Sequence, residues 1–512
     1  MKNKYLLMLL LFGSSLLWSC NDNILELTNP NSLTPEVYYK TPGQLDQAVA
    51  AVYSAVRGND LLSLEYFFLN EFQSDDAVSG GDQCPGFQAA LVAGNFNSSN
   101  DAIFQVWRGW YAVIMRANAV IEKAPNVEGI DEVLRKERVA EVKVLRAWAY
   151  FELTMNWGKV PLYTEYGKSM EDFKPRAEVA DVYAQIIDDL TSAAADLPAI
   201  VSTEGRITQY TAIAFLGKVY MQRGNQGDMA LAKAQFDKII NSGKFSLSAN
   251  YLDNFVEEVG TNNESLFQIN YGGGAGEWNI CWAPNGDSKT DGAQLRHQWI
   301  AAGAWRNMMP SNSFLAEFED NDPRLKYTVY FTGDTANSNW VLTDDDNHGY
   351  KVTYKGQQIA CSWRKSTINY KLFETWQRGY QGSRINQRVI RYAEILLNQA
   401  ECEHNLGNDQ AAVALMNQIR NRSTVNMPNY PTALYPCSSP TEVFRALSHE
   451  RRVELGFEEV RANDLKRWKK QGKISQFPYT YTPKNPEGLL PIPLAEINGN
   501  PAIGQANQNE GY

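Results

Sequence analysis

Aromatic side chains are the residues of this sequence best placed to do chemistry. Trp278, Trp282, Trp299, Trp305, Trp340, Trp363 and Trp376 fall in or beside a loop-rich stretch from 245 to 385. A flat indole face attracts the weakly positive C–H face of a sugar ring, and sugar hydroxyls need carboxylate, amide or guanidinium partners at the ring edge. Asp, Asn and Arg residues are interleaved with these tryptophans. The chemistry they suggest is capture of a glycan. Trp107, Trp110, Trp148 and Trp157 lie instead in helical patterns, as does Trp468, and are expected in the core.

Signals for catalysis or metal binding are weaker. The four histidines, His297, His348, His404 and His449, stand at no ligand spacing, and His449-Glu450 lacks the second His of a zincin helix. Glu450-Arg451-Arg452-Val453-Glu454 alternates charge along a helical stretch, which reads as ion pairs that fix packing. The run from Asp344 to Gly349 resembles the start of a calcium loop. It has His348 at position five and Lys355 at position twelve, so it reads as a solvated acidic turn. Gly272 to Gly276 lacks the strand–helix context and lysine of a phosphate loop and reads as a hinge. No GxSxG occurs, and no carboxylate pair stands out for a two-carboxylate hydrolase. No cofactor or metal is indicated.

Cys20 offers a different reaction. Lys2 and Lys4 precede an apolar run from Tyr5 to Trp18, too short to span a bilayer and of signal-peptide length. Leu17-Trp18-Ser19-Cys20 then matches a lipobox, apart from the bulky Trp18 at −2. The Cys20 thiol would take a diacylglyceryl group and cleavage before Cys20 would free an amine for a third chain, and several acyl chains anchor firmly where one is marginal.

The elements that position these residues are mostly helical. With 44% hydrophobic residues the 512-residue chain can bury a large core, and its net charge of −10 without a basic patch argues against nucleic acid. The cysteines beyond Cys20 are Cys84, Cys281, Cys361, Cys402 and Cys437; they are odd in number and form no CxxC, so no disulfide framework is indicated. Helical periodicity marks 43–57, 107–121, 142–153 and 182–197, the last stopped by Pro198. Segments 211–223 and 229–242, and again 388–406 and 409–422, form helix–turn–helix pairs joined at glycines. Small residues Ala212, Ala214, Gly217, Ala393 and Ala400 fall where helices press together, in the manner of tetratricopeptide units. Short strands are expected at 327–332 and 350–354. The fold class is thus mostly α, with tetratricopeptide-like helical hairpins and a loop-rich ligand-binding insertion containing short strands. The chain divides into a signal peptide at 1–19, a lipidated tether at 20–42 and a body at 43–512. The body comprises a helical part to 244, the loop-rich region at 245–385 and a second helical part from 386.

These residues, taken in order, resemble the SusD/RagB family of outer-membrane nutrient-binding lipoproteins. The resemblance rests on Arg146-Ala147 through Tyr150-Phe151, on Asn156-Trp157-Gly158-Lys159-Val160-Pro161-Leu162, and on Arg391-Tyr392-Ala393-Glu394. It continues through Glu450-Arg451-Arg452, Asp464-Leu465-Arg467-Trp468, Pro491-Ile492-Pro493 and the closing Gln508-Asn509-Glu510-Gly511-Tyr512. It implies a non-catalytic, surface-exposed, lipid-anchored protein of the outer membrane that holds an oligosaccharide for a SusC-like TonB-dependent transporter. Some members of the family carry peptides, and that alternative stays open, as does a surface glycoside hydrolase or a protein-binding helical adaptor. The resemblance further implies ligand contacts from Trp305, Trp282 and Trp278, and from Asp75 and Asp76 in a polar loop. The starch-binding member closes its aromatic arc with a ring just after that loop. Here Val78-Ser79-Gly80-Gly81 offers none, which points to a differently shaped glycan.

Overall fold

A computed structural model describes residues 38–80, 84–167, 172–201, 203–257, 259–271, 295–300, 305–334, 351–365, 367 and 383–512. Helices dominate it. Among them are α1 (Pro42–Arg57), α2 (Glu65–Phe72), α3 (Asp101–Lys123), α4 (Glu132–Trp157), α5 (Val179–Asp196), α6 (Gln209–Arg223) and α7 (Asp228–Asn241). After the loop-rich region come α8 (Tyr392–Asn405), α9 (Asp409–Arg420), α10 (Pro440–Leu455) and α11 (Arg461–Lys470).

Local chemistry sets their ends. Thr41 caps α1 with a reciprocal box to Gln44, and Pro42 occupies the first turn, where its missing N–H costs nothing. Asn100 and Asp131 cap α3 and α4 through their side chains. Between α6 and α7 the chain turns through Gly224 (φ 64°) and Gly227 (φ 87°), both left-handed, where a Cβ would be strained. Gly407 (φ 84°) serves the α8–α9 turn in the same way.

The hairpins expected from the sequence are present. Helices α4, α5, α6 and α7 pack in succession, and α7 continues the array onto α8 and its partner α9. Ala212, Ala214, Ala393 and Ala400 are fully buried at these contacts. The architecture is therefore mostly α and tetratricopeptide-like. Trp107, Trp110, Trp148, Trp157 and Trp468 are buried, as expected. No helix among the described residues is long and apolar enough to cross a membrane.

One boundary differs from the sequence reading. The helix expected from 388 begins at Tyr392, and Gln387–Arg391 is a strand paired antiparallel with Ser265–Ile269. Apolar residues of that stretch satisfy a helical and an extended pattern equally well, and a partner strand far away in sequence decides between them. Other short strands pair Ala77–Ser79 with Met308–Pro310, Val329–Phe331 with Cys361–Trp363, and Val352–Tyr354 with Gln357–Ile359. The strands expected near 327–332 and 350–354 are among them.

Candidate functional site

The ladder between Ala77–Ser79 and Met308–Pro310 carries the aromatic platform. Beyond its paired residues the Gly80 N–H donates to the Asn307 carbonyl at 3.1 Å, and the Ser311 N–H donates to the Asp76 carbonyl at 2.8 Å. Trp305 sits just past the Gly80 end. Its half-buried ring stands edge-to-face on Trp299, with centroids 5.1 Å apart and planes at 79°. Trp299 leans in turn on Phe68 of α2 at 6.0 Å, and its carbonyl accepts the Asn307 N–H at 2.7 Å. Edge-to-face packing of this kind is favourable beyond simple burial and fixes the ring plane. Trp305 is thus a ring held firmly by Trp299 and incompletely buried.

Two backbone features shape this corner. Arg306 adopts a left-handed conformation (φ 52°) between Trp305 and Asn307, which costs a non-glycine residue energy that the surrounding packing has to offset. At Gly80, a Cβ would lie 2.1 Å from the Met309 side chain and 2.9 Å from the Arg306 carbonyl. The strands cross too closely there for any side chain. This accounts physically for the missing ring after the acidic loop: at position 80 the space is taken by the strand that leads from Trp305.

Asp75 and Asp76 stand directly behind the ladder. Arg452 of α10 donates from Nε to Asp76 Oδ1 at 2.7 Å and from Nη2 to the Asp75 carbonyl at 2.9 Å, and its Nη1 reaches Glu317 Oε2 at 3.0 Å. Arg461 of α11 donates from Nε to Asp75 Oδ1 at 2.7 Å. The Ser311 and Ser313 hydroxyls also donate to the Asp75 carbonyl, at 2.5 and 2.9 Å. Asp76 is fully buried. Burial pushes its carboxyl above the ordinary range and outweighs Arg452, while at Asp75 the Arg461 and Arg452 guanidiniums outweigh burial and push the carboxyl below it. In this arrangement both acids brace the Trp305 segment against α10 and α11.

The other expected site residues distribute as follows. Trp278, Trp282, Cys20, the Gly272–Gly276 run and the Asp344–Gly349 turn lie outside the described residues. Trp363 is fully buried and stacks on Phe457 at 3.8 Å, and Trp299 is 9% exposed, so both support rather than present a surface. Cys402 is buried. Among the described residues no three His, Cys, Asp or Glu side chains converge as a metal-binding group. The sequence reading did not single out Arg452 and Arg461 as the partners of the acidic loop. The alternating Glu450–Glu454 run signals that ion pairs exist, but not that one of them reaches across some 376 residues of sequence.

Comparison with known proteins places these features in a family. The model of the SusD family matches residues 216–512. A second model, described as starch-binding associating with outer membrane, matches residues 24–221. A SusD-like protein of Formosa agariphila is 26% identical over 499 residues, covering 92% of this chain and 93% of its own length. A SusD-like protein of Bacteroides ovatus is 25% identical, covering 91% and 83% respectively. Among solved structures, a laminarin-binding SusD-like protein superposes with a TM-score of 0.73 at 26% identity, covering 93% of this chain and 100% of that one. Surface glycan-binding protein A from Bacteroides fluxus shares the fold at 21% identity, with a TM-score of 0.72 over 92% of this chain and 100% of that one.

Proposed function

This chain belongs to the SusD family, and on that premise we propose that it is a non-catalytic glycan receptor of the outer membrane. It is held there by acyl chains on Cys20 and passes oligosaccharide to a SusC-like TonB-dependent transporter. The observation that carries the binding reading is Trp305: an incompletely buried indole whose plane is fixed by Trp299 and whose segment is braced through Asp75, Asp76, Arg452 and Arg461. A rigid ring loses little entropy when a sugar stacks on it, so the stacking energy appears in affinity. The laminarin-binding relative makes β-glucan a sensible first probe. Trp278 and Trp282 are proposed as further contacts, while Asp75 and Asp76 would act on the ligand through the platform they hold.

Calorimetry against a panel of laminarihexaose, maltohexaose, xylohexaose and mannohexaose tests this reading. At least one should bind, and Trp305→Ala should weaken that binding about ten-fold or more, the equivalent of about 1.4 kcal/mol. Wild-type affinity in the variant would remove Trp305 from the site. Release of new reducing ends during the titration would point to a hydrolase instead. For the anchor, Cys20→Ala should move the protein from the membrane to the soluble fraction.

A further inference from the structure

Against the strand Ser265–Ile269 lies a groove that the Trp305 platform does not include. One part has a volume of about 540 Å³ and is lined by Ile200, Phe245, Thr261 and Gln268, among others. A second part of about 280 Å³ is lined by Tyr53, Arg57 and Asn270. Glu204, Gly205 and Arg206 line both, so the two adjoin. Their size is that of small-molecule sites, which typically run from about 300 to 1,000 Å³.

The walls are of two kinds. One is apolar: Phe245, half-buried, stands edge-to-face on Tyr210 at 5.3 Å, and Ile200 is 72% exposed at the rim. The other is crowded with hydrogen-bond acceptors. The Gln268 amide nitrogen faces Glu204 Oε1 at 3.3 Å, the Gly260 carbonyl at 3.3 Å, Thr261 Oγ1 at 3.0 Å and Asn270 Oδ1 at 2.7 Å. An amide has two hydrogens for these four acceptors, of which Glu204 Oε1 also accepts from the Thr261 hydroxyl and the Gly260 carbonyl also accepts from Arg388 Nη2 at 3.2 Å and Asn386 Nδ2 at 3.3 Å. Gln268 is itself 3% exposed, and its own Oε1 accepts no hydrogen bond. A buried acceptor without a donor, here Gln268 Oε1, is costly, and a ligand O–H that reaches it relieves that cost.

We propose that this groove is a second saccharide-binding site, in which Phe245 supplies the ring face and Glu204 with Gln268 accepts hydroxyl donors. The inference rests on the glycan-receptor reading and extends it to a separate surface. An anion finds Arg206 already committed to Glu141 and Asp46, with the Glu204 carboxylate beside it. A bare cation is disfavoured because Arg206 and Lys244 also line the cavity. An extended peptide adding to the strand is disfavoured because the Leu266 carbonyl already accepts from the Thr211 hydroxyl at 3.3 Å, and the Ser265 N–H already donates to the Asn262 carbonyl.

The test titrates the full chain with the four hexaoses named above, and with a casein peptide digest, in wild type, Phe245→Ala, Glu204→Gln and Trp305→Ala. Glu204 is exposed, so its variant keeps the fold even if Phe245→Ala loosens the loop around Tyr210. Two saccharides per wild-type chain are expected, with one lost or weakened about ten-fold in each groove variant and the other in Trp305→Ala. Wild-type stoichiometry and affinity in both groove variants would overturn the second site and leave the receptor reading standing. Binding of no hexaose by wild type would overturn both. Peptide binding that both groove variants abolish, with saccharide binding untouched, would reassign the groove to peptides.

Discussion

At the scale of single residues, His449 shows how charge buried for structural reasons makes stability depend on pH. Its Nδ1 lies 2.9 Å from Glu317 Oε1 and its Nε2 3.4 Å from Glu319 Oε2, and its ring stacks on Tyr435 at 4.4 Å. Burial pushes the imidazole's pKa down, but the bonds to Glu317 and Glu319 outweigh it and hold the pKa above its ordinary value. Glu317 is pushed down to about 2: His449 and Arg452 outweigh its burial. A raised histidine stabilises fully below its unfolded pKa of about 6.5 and loses that contribution as pH rises through the folded value. Lys466 has the opposite slope: burial pushes it down to about 7, so stability rises with pH from there toward its unfolded pKa of about 10.4. Comparing wild type with His449→Gln cancels the lysine. The urea midpoint of wild type should exceed that of the variant by more at about pH 6 than at about pH 9. An equal gap at both would show that folding leaves the pKa of His449 unshifted. Such effects are illegible in sequence, because Glu317 lies 132 residues away from His449, with Glu319 close by it, and nothing local announces them. Asp75 and Asp76 are hidden for the same reason. Two adjacent acids in a polar loop look like ligand contacts until Arg452 and Arg461 are seen behind them.

At the scale of elements, the hairpins were the most legible part of the sequence. Their signal is local: a 3.6-residue apolar rhythm, a glycine turn, a cap, and small residues at the crossings. Gly217 is one such crossing. A Cβ there would come within 2.5 Å of the Phe236 ring of α7, so α6 and α7 approach as closely as they do because position 217 carries none. Gly217→Val should therefore push Phe236 out of place and cost about 1–3 kcal/mol, as overpacking of a filled core does. A lowered midpoint in thermal melts would register it, and a change within a few tenths of a kcal/mol would mean that Phe236 finds another rotamer. The strand Gln387–Arg391 was less legible than the helix it leads into. An N-terminal helix start is written in caps and turns, whereas a strand of five residues depends on which distant segment lies beside it. The Trp305 platform falls between these cases. Its aromatic composition was plain, but the division of labour between Trp305, half-open, and Trp299 and Trp363, sealed, depends on the ladder to Ala77–Ser79.

At the scale of the whole molecule, a buried ionic network ties the loop-rich region to the C-terminal helices. Glu454 of α10 accepts from Arg391 Nη1 and Arg422 Nη2, each at 2.7 Å, and from Arg324 Nη1 at 3.2 Å. Arg391 and Arg422 also share Glu264, at 2.8 and 2.7 Å, and Arg391 Nε reaches Glu458 at 2.6 Å. Every side chain of the Arg391–Arg422–Arg324–Glu454–Glu264 set is at most 1% exposed. Although burial opposes ionisation of Glu454, Arg422, Arg391 and Arg324 outweigh it and hold the carboxyl well below the usual range. Charges sealed this deeply do little for stability as intact pairs, yet removing one partner strands the others without water or counter-charge. Glu454→Gln should accordingly cost about 3–5 kcal/mol. Because Glu264 and Arg324 come from the loop-rich region, and Arg391, Arg422 and Glu454 from the strand and helices after it, that loss cannot stay in one part. The Trp305-dependent fluorescence (the difference between each chain and its Trp305→Phe form), which reports the platform, and far-UV circular dichroism, which reports the helices, should shift together to lower urea in the variant and remain coincident. If the fluorescence transition alone moved, the ligand-facing region would be a separately folding unit and the braces at Asp75 and Asp76 would be local. Coincident curves would mean that the ring offered to the ligand is as rigid as the helical body that mounts it.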